Sequence, residues 1–118
     1  MYFQIRLIAL ISSNPSKNIQ VMREGAFVSQ VPTVVSKLTA SPEPWCYKEY
    51  LRAQSVSPVP VKYTLPGPMT IMDGSYNALY QDEREMAKDL IKIIQREILA
   101  LAANGCVHIQ LDEPVMMR

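Results

Sequence analysis

The stretch "GCVHIQLDEPVMMR" gathers most of the side chains here that could do chemistry: Cys106, His108, Gln110, Asp112 and Glu113. Asp112 and Glu113 follow an apolar run and precede Pro114, the order expected where a buried strand ends at a polar pocket. A carboxylate there can accept hydrogen bonds from an amine or a hydroxyl, hold a catalytic group, or satisfy nearby backbone amides. Neighbouring strand side chains face opposite ways, so the adjacent pair is not a catalytic dyad. Pro114 favours extended backbone at Glu113, which makes that residue's expected service positional.

His108, Gln110 and Asp112 fall on one strand face. At roughly 3.3 Å per residue, the Cα atoms of His108 and Asp112 stand about 13 Å apart, too far for direct bonding. His108 is expected to be a packed or hydrogen-bonded structural residue rather than a metal ligand. Gln110, between them, is placed to orient a polar substrate. Cys106 has no partner that marks it as a nucleophile, since a reactive thiol needs a lowered pKa and access. The Cys, His and carboxylates do not converge as a zinc site requires. A second strand-end candidate is "TLPGPMT": Gly67 permits close approach, and Pro66 and Pro68 limit motion. It reads either as a rigid turn or as a substrate-facing loop, with Thr64, Thr70 and Asp73 as secondary candidates. It is not a phosphate-binding loop, which would carry a glycine-rich run ending in Lys-Ser or Lys-Thr.

These residues need elements to position them. "VPTVVSKL" predicts a strand over residues 33 to 39, with β-branched Val34 and Val35. Pro42 or Pro44 can open a short helix through Trp45, Tyr47, Tyr50 and Leu51, with Trp45 as a packing residue. "VKYTL" predicts a second strand, and further regular structure is not expected at the "PGP" that follows. The strongest periodic signal starts at Asp82, which can cap a helix while Glu85 reciprocates. Met86, Leu90, Ile93, Ile94, Ile98 and Leu101 then form one apolar face, and Asn104-Gly105 supplies a stop. "CVHIQL" reads as a buried strand. Residues 14 to 30 show no sustained period. The order strand, helix, strand, helix, strand implies α/β crossover units with parallel strands, buried on both faces.

Composition narrows the classes. The 118 residues have room for one modest domain, and 48% apolar residues argue against general disorder. Twelve basic and eleven acidic side chains nearly cancel, and no basic stripe suggests nucleic-acid binding. No apolar run reaches the roughly 20 residues of a membrane span. The opening "MYFQIRLIALISS" is apolar but lacks the basic start and cleavage site of an export signal. Cys46 and Cys106 are expected to be free thiols in a reducing cytoplasm.

Taken together, "VKYTLPGPMTI", the helix ending "LAANGC" and "HIQLDEP" resemble the carboxyl-terminal catalytic domain of cobalamin-independent methionine synthase. Weaker resemblance extends back to "VPTVVSKL". The resemblance implies a partial triose-phosphate-isomerase-type (β/α)8 barrel of about three parallel strands with crossover helices, since a full barrel takes about 250 residues. Residues 1–118 would be a single segment of that barrel, with 1–30 a poorly defined leading region. Family enzymes are zinc-dependent methyltransferases that move a methyl group from a methylated folate to homocysteine thiolate, forming methionine. Asp112 matches the carboxylate that holds the homocysteine amino group, and Gln110, Gly67 and Thr64 join it as expected substrate-binding residues.

Two departures qualify what is implied. Gly74 stands where the family carries a pterin-stacking Trp, so methylated folate would need another residue, and a corrinoid protein is the alternative donor. The family's zinc ligands follow the "DEP" strand, beyond the last residue here, so the expectation is a fragment without independent turnover. The alternatives are a noncatalytic half-barrel interaction subunit or a thiol methyltransferase component using a corrinoid donor. Self-association, or a missing barrel complement, would cover exposed sheet edges.

Overall fold

The computed structural model describes residues 32–117 and, before them, the backbone of 11–12, 19–22 and 27–30. In chain order the strands and helices are β1 (Ile11–Ser12), β2 (Ile19–Met22), β3 (Phe27–Gln30), β4 (Thr33–Val34), α1 (Cys46–Val56), β5 (Lys62–Pro66), α2 (Pro68–Asp73), β6 (Tyr76–Asn77), α3 (Glu83–Ala103) and β7 (His108–Asp112), followed by a 3-10 turn at Pro114–Met117. The predicted leading region 1–30 and the unreadable stretch 14 to 30 lie largely outside the described residues. Within them, β2 and β3 pair antiparallel, from Ile19 opposite Gln30 to Met22 opposite Phe27.

The helix α3 forms where its periodicity predicts. Asp82 is the N-cap, its carboxylate accepting the Arg84 amide at 2.9 Å. Glu85 does not reciprocate, because its side chain pairs with Lys88 at 2.8 Å, so only half of the expected capping box is made. Met86, Leu90, Ile93, Ile94 and Leu101 are buried, and Ile98 packs at the margin of the same core. The helix stops at Asn104 and at Gly105, whose φ of +90° lies in the region glycine tolerates best.

A sixth buried residue on that face is Glu97, only 3% exposed. Its Oε2 accepts the amides of Trp45 at 3.2 Å and Cys46 at 3.1 Å. Those are the first amides of α1, a helix whose own N-cap residue supplies no side-chain cap. Next to it, Arg96 donates to the carbonyls of Ser41 and Pro42. The long helix thus fixes where the short one begins. The expected opening at Pro42 or Pro44 is corrected accordingly: those prolines lie in the approach loop, and the helix runs on to Val56. Trp45 packs against the core, as expected.

Three further expectations change. The strand over 33 to 39 shrinks to Thr33–Val34, which pairs antiparallel with β1 and parallel with β6. Beyond it the Leu38 amide is taken by the Tyr80 hydroxyl at 2.7 Å, which removes it from any ladder. The "PGP" region is regular after all, since Pro68 occupies the first turn of α2 and needs no amide partner there. Ile71, fully buried, anchors that helix. Last, β7 is not buried on both faces. Ile109 packs with Leu65 and Tyr63 against the helices, while His108, Gln110 and Asp112 are exposed on the other face.

Parallel pairing is present in two places. β5 and β7 align over five positions, Lys62 with His108 through Pro66 with Asp112, joined by a crossover that includes α3. β4 and β6 form the other parallel pair, and among the described residues the two pairs belong to separate sheets. Cys46 and Cys106 are free and buried.

Two predictions follow from this packing. Glu97→Ala leaves two helix-terminal amides without their acceptor and should lower stability by about 1 to 3 kcal/mol. A urea midpoint equal to wild type would show that water replaces the carboxylate at no cost. The second concerns alkaline pH. Burial raises the Cys46 thiol above its ordinary 9.0, and burial together with Cys46 and Glu49 raises Tyr63 above 10.0. The unfolded chain therefore loses these protons first, so their stabilisation is complete below the unfolded values and falls as pH climbs past them. The urea midpoint should hold up to about pH 8 and drop from there to about pH 10.5, and Tyr63→Phe should flatten that drop. An unchanged slope in the variant would exclude Tyr63 as a source.

Candidate substrate site at the strand ends

Alternation along β7 sends Asp112 and Glu113 to different tasks. Glu113 turns toward α2, where Oε1 accepts the Met69 amide at 3.0 Å. Its Oε2 accepts both the amide and the hydroxyl of Thr70, each at 2.8 Å. The carboxylate therefore satisfies the exposed start of a helix whose own N-cap residue, Gly67, has no side chain to offer. The positional role expected of Glu113 has this concrete form.

Gly67 makes the approach feasible. A Cβ at this position would overlap Oε1, Cδ and Cγ of Glu113. Its φ of −80° suits any residue, so the glycine matters here for the room it leaves to the Glu113 side chain, which any Cβ would displace. The Gly67 amide also donates to the Asp112 carbonyl at 2.8 Å, and the Thr70 hydroxyl lies 3.4 Å from the same oxygen. The end of β7 and the β5–α2 turn are thereby joined by both backbone and side chain.

The Asp112 carboxylate instead points to the exposed face shared by Lys62, Thr64, His108 and Gln110. Thr64 lies opposite Gln110 in the register, and Gln110 Nε2 donates to Asp112 Oδ1 at 2.6 Å. Lys62 Nζ donates to Gln110 Oε1 at 2.6 Å. The result is a polar strip along two parallel strands, with the acidic group at their C-terminal end. Such an end is where ligands gather in parallel α/β folds. A carboxylate there suits an ammonium or hydroxyl ligand.

The remaining candidates are distributed differently. His108 is exposed, which corrects the expectation of a packed or hydrogen-bonded imidazole; the packed face of β7 belongs to Ile109. Cys106 is buried, its Sγ 3.5 Å from the His108 carbonyl. Thr70 is occupied by Glu113, and Asp73 closes α2. Gly74 follows as the C-cap of α2 and presents no ring. Lys62 is the site-facing residue that sequence reading passed over. Its signal was available in "VKYTL", where alternation puts Lys62 with Thr64 and opposite to the core residue Leu65.

Zinc, implied by the resemblance, is not matched by the donors present. Among the described residues no three of His, Cys, Asp and Glu converge, and both thiols are buried. No helix among them is long and apolar enough to cross a membrane.

An α/β segment with parallel strands and a polar strip ending in a carboxylate is the class that the fold and site define. Residues 2–118 match the family model described as the catalytic domain of cobalamin-independent synthase, and the chain belongs to that family. It is 41% identical over 86 residues to a methionine synthase of Saccharolobus solfataricus, covering 72% of this chain and 26% of that protein. It is 39% identical over 83 residues to a 5-methyltetrahydropteroyltriglutamate–homocysteine methyltransferase of Thermotoga maritima, covering 70% of this chain and 11% of that protein. A B12-independent methionine synthase from Shewanella sp. W3-18-1, solved in complex with selenomethionine, matches with a TM-score of 0.78 and 30% identity over 93% of this chain and 31% of that one. The chain thus spans about a quarter or less of the length of these curated relatives.

Gly67→Ala should displace Glu113 and loosen α2. Hydrogen exchange at the Met69 and Thr70 amides is expected to accelerate at least about tenfold, in line with loss of charge-assisted bonds worth roughly 1.5 to 3 kcal/mol. Protection equal to wild type would mean that the helix start does not depend on the carboxylate.

Proposed function

We propose that residues 1–118 are one segment of a methyl-transfer (β/α)8 barrel and carry the subsite that holds a homocysteine-like amino acid. The observation behind this reading is the Asp112 carboxylate, exposed at the C-terminal end of a parallel strand on a polar face opposite the packed helices. A carboxylate so placed forms a charge-assisted bond to an α-ammonium and thereby fixes where the sulfur lies. Thr64 and Gln110 line the same face, and Gly67 holds the adjoining turn by admitting Glu113. Membership of the family supports the reading, as does the likeness to a synthase solved with selenomethionine, an amino acid of this type.

The reaction served is methyl transfer to the thiol sulfur of homocysteine: a carbon–sulfur bond forms, the bond from methyl to donor breaks, and the thiol proton is lost. This chain's part is to bind and orient the amino acid. The described residues supply no zinc donor set, so thiol activation is not assigned to them, and neither is independent turnover. Gly74 provides no aromatic surface at the end of α2, which favours a donor held elsewhere or a corrinoid carrier. The unpaired thiols of Cys46 and Cys106 support a reducing, cytoplasmic setting.

One observation favours a second reading, a noncatalytic interaction segment. β7 pairs only with β5 among the described residues, and Leu111 within it and Met117 in the turn after it are 47% and 90% exposed. An unpaired strand edge with exposed apolar side chains invites a barrel complement or a second copy.

Calorimetric titration with L-homocysteine, with and without zinc, should separate the readings while light scattering follows the mass. The amino-acid subsite predicts zinc-independent binding that Asp112→Asn weakens at least about tenfold, with the melting temperature preserved. Equal affinities for wild type and variant would sink the assignment. Binding to neither, with a stable oligomer, would favour the interaction reading.

A further inference from the structure

We propose that Lys62 and Gln110 are positioning residues that aim the Asp112 carboxylate, acting as a polarity-matched relay along the exposed face of β5 and β7. The inference rests on the reading of Asp112 as the group that holds the substrate's amine. Lys62 Nζ donates to Gln110 Oε1, and Gln110 Nε2 donates to Asp112 Oδ1, each at 2.6 Å. An ammonium can only donate and an ionised carboxylate can only accept, whereas a primary amide does both, at opposite ends. One sense of the Gln110 amide therefore satisfies both neighbours. The flipped amide would set its NH2 against the ammonium and its oxygen against the carboxylate.

Lys62 thus decides the direction in which Gln110 points, and Gln110 decides which Asp112 oxygen is occupied. Oδ2 is left without a partner among the described residues, available to a ligand's ammonium. The register makes the relay feasible. Lys62 faces His108 and Thr64 faces Gln110, so Lys62 reaches one pairing step diagonally along β7 to its amide. Neither Lys62 nor Gln110 needs to touch the ligand. Each acts through the next group in line, which is why removing one should make removal of the other inconsequential.

The full 118-residue chain carrying Lys62→Met, Gln110→Leu, both together, Lys62→Arg or Asp112→Asn would be titrated with L-homocysteine. Each of the first two should weaken binding about fivefold to tenfold, the loss expected for one charge-assisted bond. The double variant should be no weaker than the worse single one, since both act through the same contact. Lys62→Arg should recover most of the affinity, because a guanidinium also donates without accepting. Unaltered affinity in the single variants, losses that multiply in the double variant, or no recovery with arginine would overturn the relay. Asp112→Asn separates the two levels. If it leaves affinity unchanged, or wild type binds no homocysteine, the amine-holding reading falls and the relay with it; if it weakens binding while the Lys62 and Gln110 variants do not, only the relay falls.

Discussion

The Glu113 carboxylate occupies the space that Gly67 leaves open, and the geometry of the strand ends depends on that contact. It joins the last residues of β7 to the first turn of α2, using both oxygens. A side chain on Gly67 would occupy the same volume, and a residue without a side-chain acceptor at 113 would leave helix-terminal amides to solvent. Because the contact draws Glu113 to one side, strand alternation commits Asp112 to the other. The structural duty thereby falls to Glu113, and Asp112 is left on the exposed polar face.

Glu97 follows the same design at the start of α1. It is buried in the apolar stripe of α3 and satisfies the amides at the start of α1. Neither α1 nor α2 carries a side-chain cap of its own, and each borrows an acid from an element distant in sequence. A borrowed cap does more than satisfy amides. It fixes the approach of one element to another, since a charge-assisted bond of about 3 Å tolerates little displacement. The helices are consequently held against one face of β5 and β7, and the polar strip is left open on the other.

An open polar strip in a family of methyl-transfer domains gives meaning to the division of labour proposed above. Holding an amino acid by its ammonium requires one well-placed carboxylate, the part proposed above for Asp112. Activating a thiol requires several convergent donors, which the described residues lack. These requirements differ in how much of a barrel they need. A single strand end suffices for the first, whereas the second draws ligands from several strands.

By itself the sequence determined what depends on local chemistry. The periodicity of α3, its Asp82 cap, its stop at Gly105, the strands at "VKYTL" and "HIQLD", and the placement of Gln110 and Asp112 on one face were legible because spacing and backbone preference decide them within a few residues. The family was legible too, from motifs that together extend across four elements. Tertiary structure alone decided what relies on partners far along the chain: the start of α1 at Glu97, the helix made regular by Glu113 after an apparent turn, the shortened β4 whose neighbour's amide goes to Tyr80, and the exposure of His108. Lys62 belongs to both groups. Alternation in "VKYTL" assigns its face, but only the parallel register with β7 brings its ammonium to Gln110. Hydrogen bonds between residues some fifty positions apart leave no periodic trace in a sequence, and there local rules stop informing.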